Sequence, residues 1–263
     1  MNVSIFRFTD ILCKLTKTHF YIARQQLLDK AINIYIWAFC SLFVMGYVMQ
    51  SFGLATDYGC FQLATVIGTI GLFEVYGNCF RCIADIEGDQ HINYLLTVPA
   101  SPAVVWWSMI CSYTLIGLIL SALMLPLGKL LMWNSFSLTA ISWVKFSIIL
   151  ILANIFYGVF TIAVTAHVGA MSKMENVWSR FIFPLWFMGG YLFSWESIYS
   201  LSRPLAYTLL CNPILFVMEG MRESLLGHQD CLPWGICCAV LCGFIVACWV
   251  YGKYKMQRLL DFV

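Results

Sequence analysis

The sequence predicts an all-α integral membrane protein with six transmembrane helices, an N-terminal amphipathic interfacial helix and external re-entrant helices before the last span. Hydrophobic residues make up 61% of the chain and charged residues only 11%, a balance that soluble domains do not show. A helical crossing needs about 20 apolar residues. Six such stretches are present, at residues 31–52, 58–79, 103–128, 146–168, 177–195 and 231–252. We therefore expect residues 1–263 to form a single transmembrane domain.

The first segment, residues 1–30, is mixed in polarity and lacks the short apolar core and cleavage site of a signal peptide. Its apolar residues recur at roughly helical spacing: Ile5, Phe8, Leu12, Leu15, Ile22 and Leu27. Lys14, Lys17 and Arg24 are placed to reach lipid headgroups. The pattern predicts an amphipathic helix on the inner leaflet, and the alternative is a disordered cytosolic tail.

The distribution of basic residues predicts the orientation. With the N-terminus inside, 11 of the 15 Lys and Arg residues are cytosolic and four are external: Lys129, Lys145, Arg203 and Arg222. Because basic residues concentrate on the cytosolic side of membrane proteins, both termini of this multi-pass protein should face the cytosol. The net charge of +2 gives no nucleic-acid signal, and the basic excess indicates contact with membrane lipids.

One carboxylate, Glu74, falls within the inner half of the second predicted span. An isolated charge there costs about 2.5 to 3.5 kcal/mol. Glu74 should therefore be paired, protonated or turned toward a cavity. Two interpretations stay open: a gate or brace at the cytosolic end of a pathway, or a hydrogen bond that holds two helices together.

Catalytic and metal-binding patterns are scarce in this sequence. It contains no phosphate-binding G-x-x-x-x-G-K-[ST] loop, no G-x-S-x-G elbow and no H-E-x-x-H motif. Cys79 and Cys82 form a C-x-x-C pair, but no second pair or His cluster completes a tetrahedral site. We expect no metal site, whereas an external disulfide among Cys60, Cys211 and Cys231 is left open.

The loop after the second span carries a predicted amphipathic helix over residues 84–98. Three acidic residues open it, three apolar residues follow at helical spacing, and Pro99 ends it. These are Asp85, Glu87, Asp89, Ile92, Leu95 and Leu96. Such a helix is suited to dock into a groove of a soluble partner. The alternative is a capped connector that lies on the membrane.

The segment at residues 200–227 is too charged for a comfortable crossing and too apolar for a solvated loop. Pro213 disfavours helix at Asn212, so two half-inserted external helices should meet there. Three charged residues then share one helix face: Glu219, Arg222 and Glu223. An ion pair on this face would offset the cost of charge near lipid.

Together these segments resemble the permease subunits of ABC-2 type transporters, over essentially the whole chain. The resemblance is carried by NYLLTVPASP after the second span, and by FPLWFMGGYLFSWESI followed by CNPILFVMEGMRESLLG before the last. It implies a membrane-spanning subunit of an ATP-driven exporter in a bacterial plasma or inner membrane. Two copies of the permease would assemble with two copies of a separate ABC ATPase subunit. That partner would bind ATP and Mg²⁺, and this chain would bind no cofactor and hydrolyse no ATP.

The resemblance also implies roles for particular residues. Residues 84–98 would be the coupling helix, in which Asp85, Glu87, Asp89, Ile92, Leu95 and Leu96 meet the ATPase. Asn212, Pro213, Glu219 and Arg222 would belong to the external re-entrant helices and their gate. The substrate would pass between the permeases, along the first, second and fifth spans.

The substrate class follows less directly from the sequence. The resemblance implies an amphiphile, such as a lipid-linked glycan or a drug-like compound, and aromatic residues make up 16% of the chain. Aromatic rings stack on sugars but also form ordinary belts at the membrane interface. Two other functions remain: a stand-alone secondary transporter or channel, and a non-transporting membrane scaffold.

Overall fold

A computed structural model of the protein describes residues 2–55, 57–97, 101–133, 135–227 and 231–260, with side chains from residue 9 to residue 259. All regular secondary structure in these ranges is helical, which confirms the predicted all-α class. In chain order the helices are α1 (Asn2–Arg24), α2 (Leu27–Phe52), α3 (Tyr58–Asp89), α4 (His91–Leu96), α5 (Pro102–Leu131), α6 (Trp143–Val168), α7 (174–191), α8 (Trp195–Leu201), α9 (Arg203–Leu209), α10 (Pro213–Leu226) and α11 (Trp234–Leu260).

Five of these helices are long and apolar enough to cross a membrane: α2, α3, α5, α6 and α11. They match the first four predicted spans and the last, although α3 continues beyond residue 79 to Asp89. The six-span count is not confirmed. In the described part of the chain, the remaining candidate is the pair α9 and α10, which is apolar enough for one broken span but bends by 97°.

The stretch predicted as the fifth span, residues 177–195, is helical but irregular. Within α7, short α-helical pieces at Met174–Val177 and Phe183–Trp186 alternate with π-helical turns at Trp178–Ile182 and Phe187–Tyr191. Pro184 removes a backbone donor, and Gly190 has a φ of +88°. These two residues explain why this apolar stretch does not form one regular α-helix.

The buried centre of the bundle is formed by α3 and α6. About four fifths of the most apolar part of each is buried, against about a fifth in α2 and α11. Two glycines permit the close packing: a Cβ at Gly117 would lie 2.2 Å from Asn154 Oδ1, and one at Gly71 would lie 2.3 Å from Tyr157 Cδ2. Small residues let membrane helices approach closely, so α3, α5 and α6 meet around Asn154.

The N-terminal helix α1 packs along α5. Leu12, Leu15 and Phe20 lie partly buried, whereas Lys14 and Lys17 are exposed, as the amphipathic pattern predicts. Ile22 departs from the predicted apolar face, because its side chain is 56% exposed. The buried position there is the adjacent Ala23, since the inward face of the helix follows 3.6-residue periodicity.

Candidate functional site

The helix α10 begins where the sequence predicts a break. The Asn212 side chain accepts a hydrogen bond from the Ile214 N–H (3.0 Å), and its Nδ2 donates to the carbonyl of Leu185 on α7 (2.7 Å). Pro213 occupies the first helical turn, where its missing N–H is harmless. Gly227, with a φ of +62°, ends the helix.

Inside α10, Glu219 and Arg222 form an ion pair with no exposed side-chain surface. The Arg222 Nη1 lies 2.8 Å from the Glu219 Oε1. The same oxygen accepts the Trp195 N–H (3.2 Å), and the Glu219 Oε2 accepts the Leu232 N–H (3.1 Å). Donors at the first residue of α8 and in the loop before α11 therefore satisfy this carboxylate.

The Arg222 guanidinium joins α10 to two further parts of the bundle. Its Nη2 donates to Thr65 Oγ1 on α3 (2.7 Å) and to the carbonyl of Gly190, and its Nη1 donates to the carbonyl of Phe193 (3.1 Å). The Arg222 Cζ also lies 3.7 Å from the ring centroid of Phe61. One buried cation thus ties α10 to α3 and to the end of α7.

Glu223, predicted on the same charged face, belongs to a different interaction. Its Oε1 lies 2.9 Å from the Nζ of Lys145 at the start of α6. The helix α10 is also buried by α3, α6 and α11. The reason is that its other faces carry small and apolar residues: a Cβ at Gly220 would lie 2.9 Å from Ile149.

A cavity of about 510 Å³ adjoins this ion pair. Tyr58, Phe61, Ser194 and Ser197 are among its lining residues, and Glu196 is the charged group among them. Phe61 contacts the cavity as well as the Arg222 guanidinium. The predicted gate residues are not among the described residues that line this hydroxyl-rich depression, and Phe61 is the contact that links it to Arg222.

Glu74, the acid predicted to lie within the membrane, is paired. Its carboxylate bonds with the Nζ of Lys30 at the beginning of α2, and the two side chains are 12% and 17% exposed. The pair joins α2 to α3 across 44 residues of sequence. This arrangement offsets the cost of placing an isolated charge in the membrane.

The segment at residues 85–96 is divided at Gln90, whose φ is +51°. Asp85 accepts hydrogen bonds from the N–H groups of His91 (3.1 Å) and Ile92 (2.8 Å) and so caps α4. The predicted helix over 84–98 therefore consists of a π-helical end of α3, at Asp85–Asp89, and the short α4. Its last residue, Val98, lies outside the described residues.

The side chains of this segment separate into a buried and an exposed group. Ile92 and Leu95 lie in the core of the protein, and Leu96 is half-buried. Glu87 is exposed, yet it accepts the N–H of Met171 after α6 (2.9 Å). Asp89 and Tyr94 are also exposed.

The helices α1 and α4 meet through two histidines, His19 and His91, whose ring centroids are 6.5 Å apart. Burial lowers the pKa of His19 from its usual 6.5, and the nearby His91 lowers it further, while Asp85 acts in the opposite direction. His19 is therefore neutral at neutral pH.

A cavity of about 370 Å³ lies between α2, α3 and α7, and aromatic rings line it. They are Trp37, Phe73, Tyr76, Trp178, Phe183 and Trp186. Phe73 packs edge-on against Trp37 (4.8 Å between centroids) and Trp186 (5.5 Å). The Trp186 Nε1 is buried and has no hydrogen-bond acceptor among the described residues.

This aromatic cavity was missed by the sequence analysis, which noted only the high aromatic content of the chain. The available signal was the density of aromatic residues in α7, where Trp178, Phe183 and Trp186 fall close together. Aromatic faces can stack on a neutral ring, and an unpaired N–H can donate to a ligand oxygen. The cavity is therefore suited to binding, and the described residues of its lining offer no acid–base or nucleophilic group for catalysis other than Tyr76.

Metal-binding geometry is not found in the described ranges, where no group of three or more His, Cys, Asp or Glu residues is positioned around one ion. Cys79 and Cys82 are buried and serve other contacts. The Cys79 thiol donates to the carbonyl of Thr161 (3.4 Å), and the Cys82 Sγ lies 2.9 Å from the Tyr113 hydroxyl.

No protein-family model matches the sequence, and no curated protein matches it.

Proposed function

We propose that this protein is the membrane-spanning permease subunit of an ATP-driven ABC exporter of the ABC-2 type. The observation that carries the proposal is the pair α9 and α10, which meets at 97° directly before the last crossing helix, with Asn212 capping the second member. A broken pair at this position, with α9 largely exposed and α10 buried, is what supports the external re-entrant helices that the sequence resemblance implies. Two copies of the chain would enclose the pathway.

The proposed substrate is an amphiphile with a ring-bearing part, such as a lipid-linked glycan or a drug-like compound. Its support is the aromatic cavity between α2, α3 and α7, the helices to which the resemblance assigns the pathway. Such a surface stacks on ring faces without demanding a charge. The unpaired Nε1 of Trp186 would donate to a hydroxyl or ring oxygen.

Energy would come from two separate ATPase subunits that contact residues 85–96. Because Ile92 and Leu95 lie in the chain's own core, the side chains available for that contact are Asp89, His91 and Tyr94. The remaining acids, Asp85 and Glu87, would act indirectly, by holding the segment in its conformation.

A second candidate is a secondary transporter or channel that works alone. The observation in its favour is that two ion pairs, Lys30–Glu74 and Glu219–Arg222, lie within or between apolar helices. Intramembrane charges often mark ion or substrate pathways.

Reconstitution with and without an ATPase subunit separates the two candidates. We expect the purified chain to turn over no ATP and to transport nothing under an ion gradient, and we expect export to need the ATPase and ATP. ATP turnover by the chain alone would refute the proposal that a separate subunit hydrolyses ATP. Transport driven by an ion gradient would favour the second candidate.

The aromatic cavity is tested by Trp186→Ala and Trp186→Phe. Loss of the ring should reduce export by about tenfold or more, since stacking of a nucleic-acid base on one aromatic side chain contributes about 1–3 kcal/mol. Trp186→Phe keeps the ring and removes only the N–H, so it should retain most of the export. Trp133→Ala is the matched control, because Trp133 is 71% exposed and lies outside the cavity. Equal export by Trp186→Ala and Trp133→Ala would exclude the cavity from the pathway.

A further inference from the structure

A separate cavity of about 590 Å³ lies between the C-terminal half of α6, the first part of α7 and α11. Phe160, Val164, Phe181 and Cys248 belong to its largely apolar wall. It is distinct from the aromatic cavity, with which it shares no lining residue. Its volume is in the range of pockets that hold small ligands.

The rim of this cavity is positively charged. Lys173 and Arg180 line it and are exposed, and neither forms an ion pair with a carboxylate in the described part of the chain. His167 also lines the rim, where its Nδ1 lies 2.7 Å from the Tyr251 hydroxyl. No acidic side chain is among the described lining residues. Two cations at the mouth of an apolar cavity therefore lack a counter-charge.

The cavity lies at one end of the crossing helices. His167 is next to the last residue of α6, and Tyr251 on α11 is followed closely by Lys253, Lys255 and Arg258. This is the end predicted to face the cytosol. Basic pockets between crossing helices on that side are a recurring way to hold anionic lipid headgroups.

We propose that this cavity binds one anionic phospholipid from the surrounding membrane. Its phosphate would lie between Lys173 and Arg180, and part of one acyl chain would lie along Phe160, Val164 and Phe181. A guanidinium and an ammonium group both form charge-assisted hydrogen bonds to phosphate, and the apolar wall favours a hydrocarbon chain over water. A neutral glycan would leave both cations unpaired. The inference does not depend on the proposed transport function.

Cys248 provides a direct probe, because its thiol lies in the cavity wall. The full chain is placed in phosphatidylcholine nanodiscs with or without phosphatidylglycerol of the same acyl chains. The rate at which a membrane-permeant maleimide modifies Cys248 is then followed by peptide mass spectrometry. Phosphatidylglycerol should slow the modification, and high salt should reverse part of this protection.

Charge variants test the role of the rim. Removing each cation, by Lys173→Gln and by Arg180→Gln, should weaken the apparent lipid affinity about fivefold. The control Lys253→Gln with Lys255→Gln removes two cations from α11 that do not line the cavity, and it should leave the protection unchanged. Asn176 lines the cavity and is exposed, so Asn176→Glu should reduce the protection whereas Asn176→Gln should not.

Three results would overturn the proposal. The first is equal protection by phosphatidylcholine and phosphatidylglycerol, which would mean that any lipid fills the cavity. The second is protection that requires two protein copies per disc and ignores the lipid, which would mean that a second copy covers it. The third is unchanged protection in the variant that lacks both Lys173 and Arg180.

Discussion

Residues 85–96 and the helix α10 both carry carboxylates among apolar residues at helical spacing, but folding distributes the two kinds of side chain differently. In residues 85–96 the apolar Ile92 and Leu95 lie in the core, and the acids stay nearer the surface. In α10 the charged Glu219 and Arg222 themselves lie in the core. The two segments therefore have similar charge and spacing, but the apolar side chains are buried in the first and the charged side chains are buried in the second.

The difference shows that the structural role of a carboxylate depends on which hydrogen-bond donors lie near it in the fold. Asp85 finds two N–H groups six and seven residues away and caps a short helix. Glu219 finds Arg222 on its own helix and two N–H groups on other elements, 24 and 13 residues away. The first arrangement shapes one local turn. The second holds several elements together, so its loss should have the larger effect.

The largest effect is expected from Glu219→Ala. This change leaves the Arg222 guanidinium buried without its counter-charge, and it removes the acceptor of the Trp195 and Leu232 N–H groups. Breaking a buried pair in this way costs about 3–5 kcal/mol. Denaturant unfolding in detergent micelles measures the loss.

The control for this prediction is Glu223→Ala, which breaks the partly exposed pair with Lys145 and should cost about 1 kcal/mol or less. Replacing both partners, by Glu219→Ala with Arg222→Met, should recover part of the lost stability because no buried charge remains. Equal stabilities of Glu219→Ala and Glu223→Ala would contradict the contrast between a buried and a surface pair.

A smaller but still large effect is expected from Leu95→Asp. The new carboxylate would be buried without a partner and should cost about 2–4 kcal/mol, so the segment should lose its structure before any partner is considered. Tyr94→Asp changes the neighbouring side chain, which is 68% exposed, and should alter stability by less than about 0.5 kcal/mol.

The same two variants sharpen the assignment of the partner contact. In a pull-down with the proposed ATPase subunit, Tyr94→Asp should weaken binding while the protein stays folded. Two further variants, Asp89→Arg and His91→Asp, test the same contact. If none of the three variants weakens binding, residues 85–96 do not belong to the proposed ATPase interface. Normal folding of Leu95→Asp would show that the apolar side of α4 does not belong to the core.

The features that the sequence predicted correctly are local ones. Apolar runs identified the five helices that are long and apolar enough to cross a membrane. The Asn212-Pro213 pair located the start of α10, and the i, i+3 spacing placed Glu219 beside Arg222. Each of these depends on the geometry of a single helix or on one residue and its neighbours. Sequence alone is sufficient for such features.

The features that the sequence did not predict join distant parts of the chain. Lys30 and Glu74 are 44 residues apart, and Arg222 reaches Thr65 across 157 residues. Periodicity shows which face of a helix is buried, but not which other helix meets it or at what height. The same limit explains why the aromatic cavity was missed, since its rings come from three helices.

The smallest effect is expected at the cap of α4. Asp85→Ala removes the acceptor of the His91 and Ile92 N–H groups, and loss of a helix cap costs about 1 kcal/mol. Asp85→Asn keeps a side-chain oxygen at the same position and should cost only a few tenths. Hydrogen exchange at the amides of His91 and Ile92 measures this locally: Asp85→Ala should raise their exchange about fivefold, whereas the amides of α10 should not change. Faster exchange in α10 as well would mean that the cap supports the whole bundle, and the two segments would then not differ in the way that their hydrogen bonds indicate.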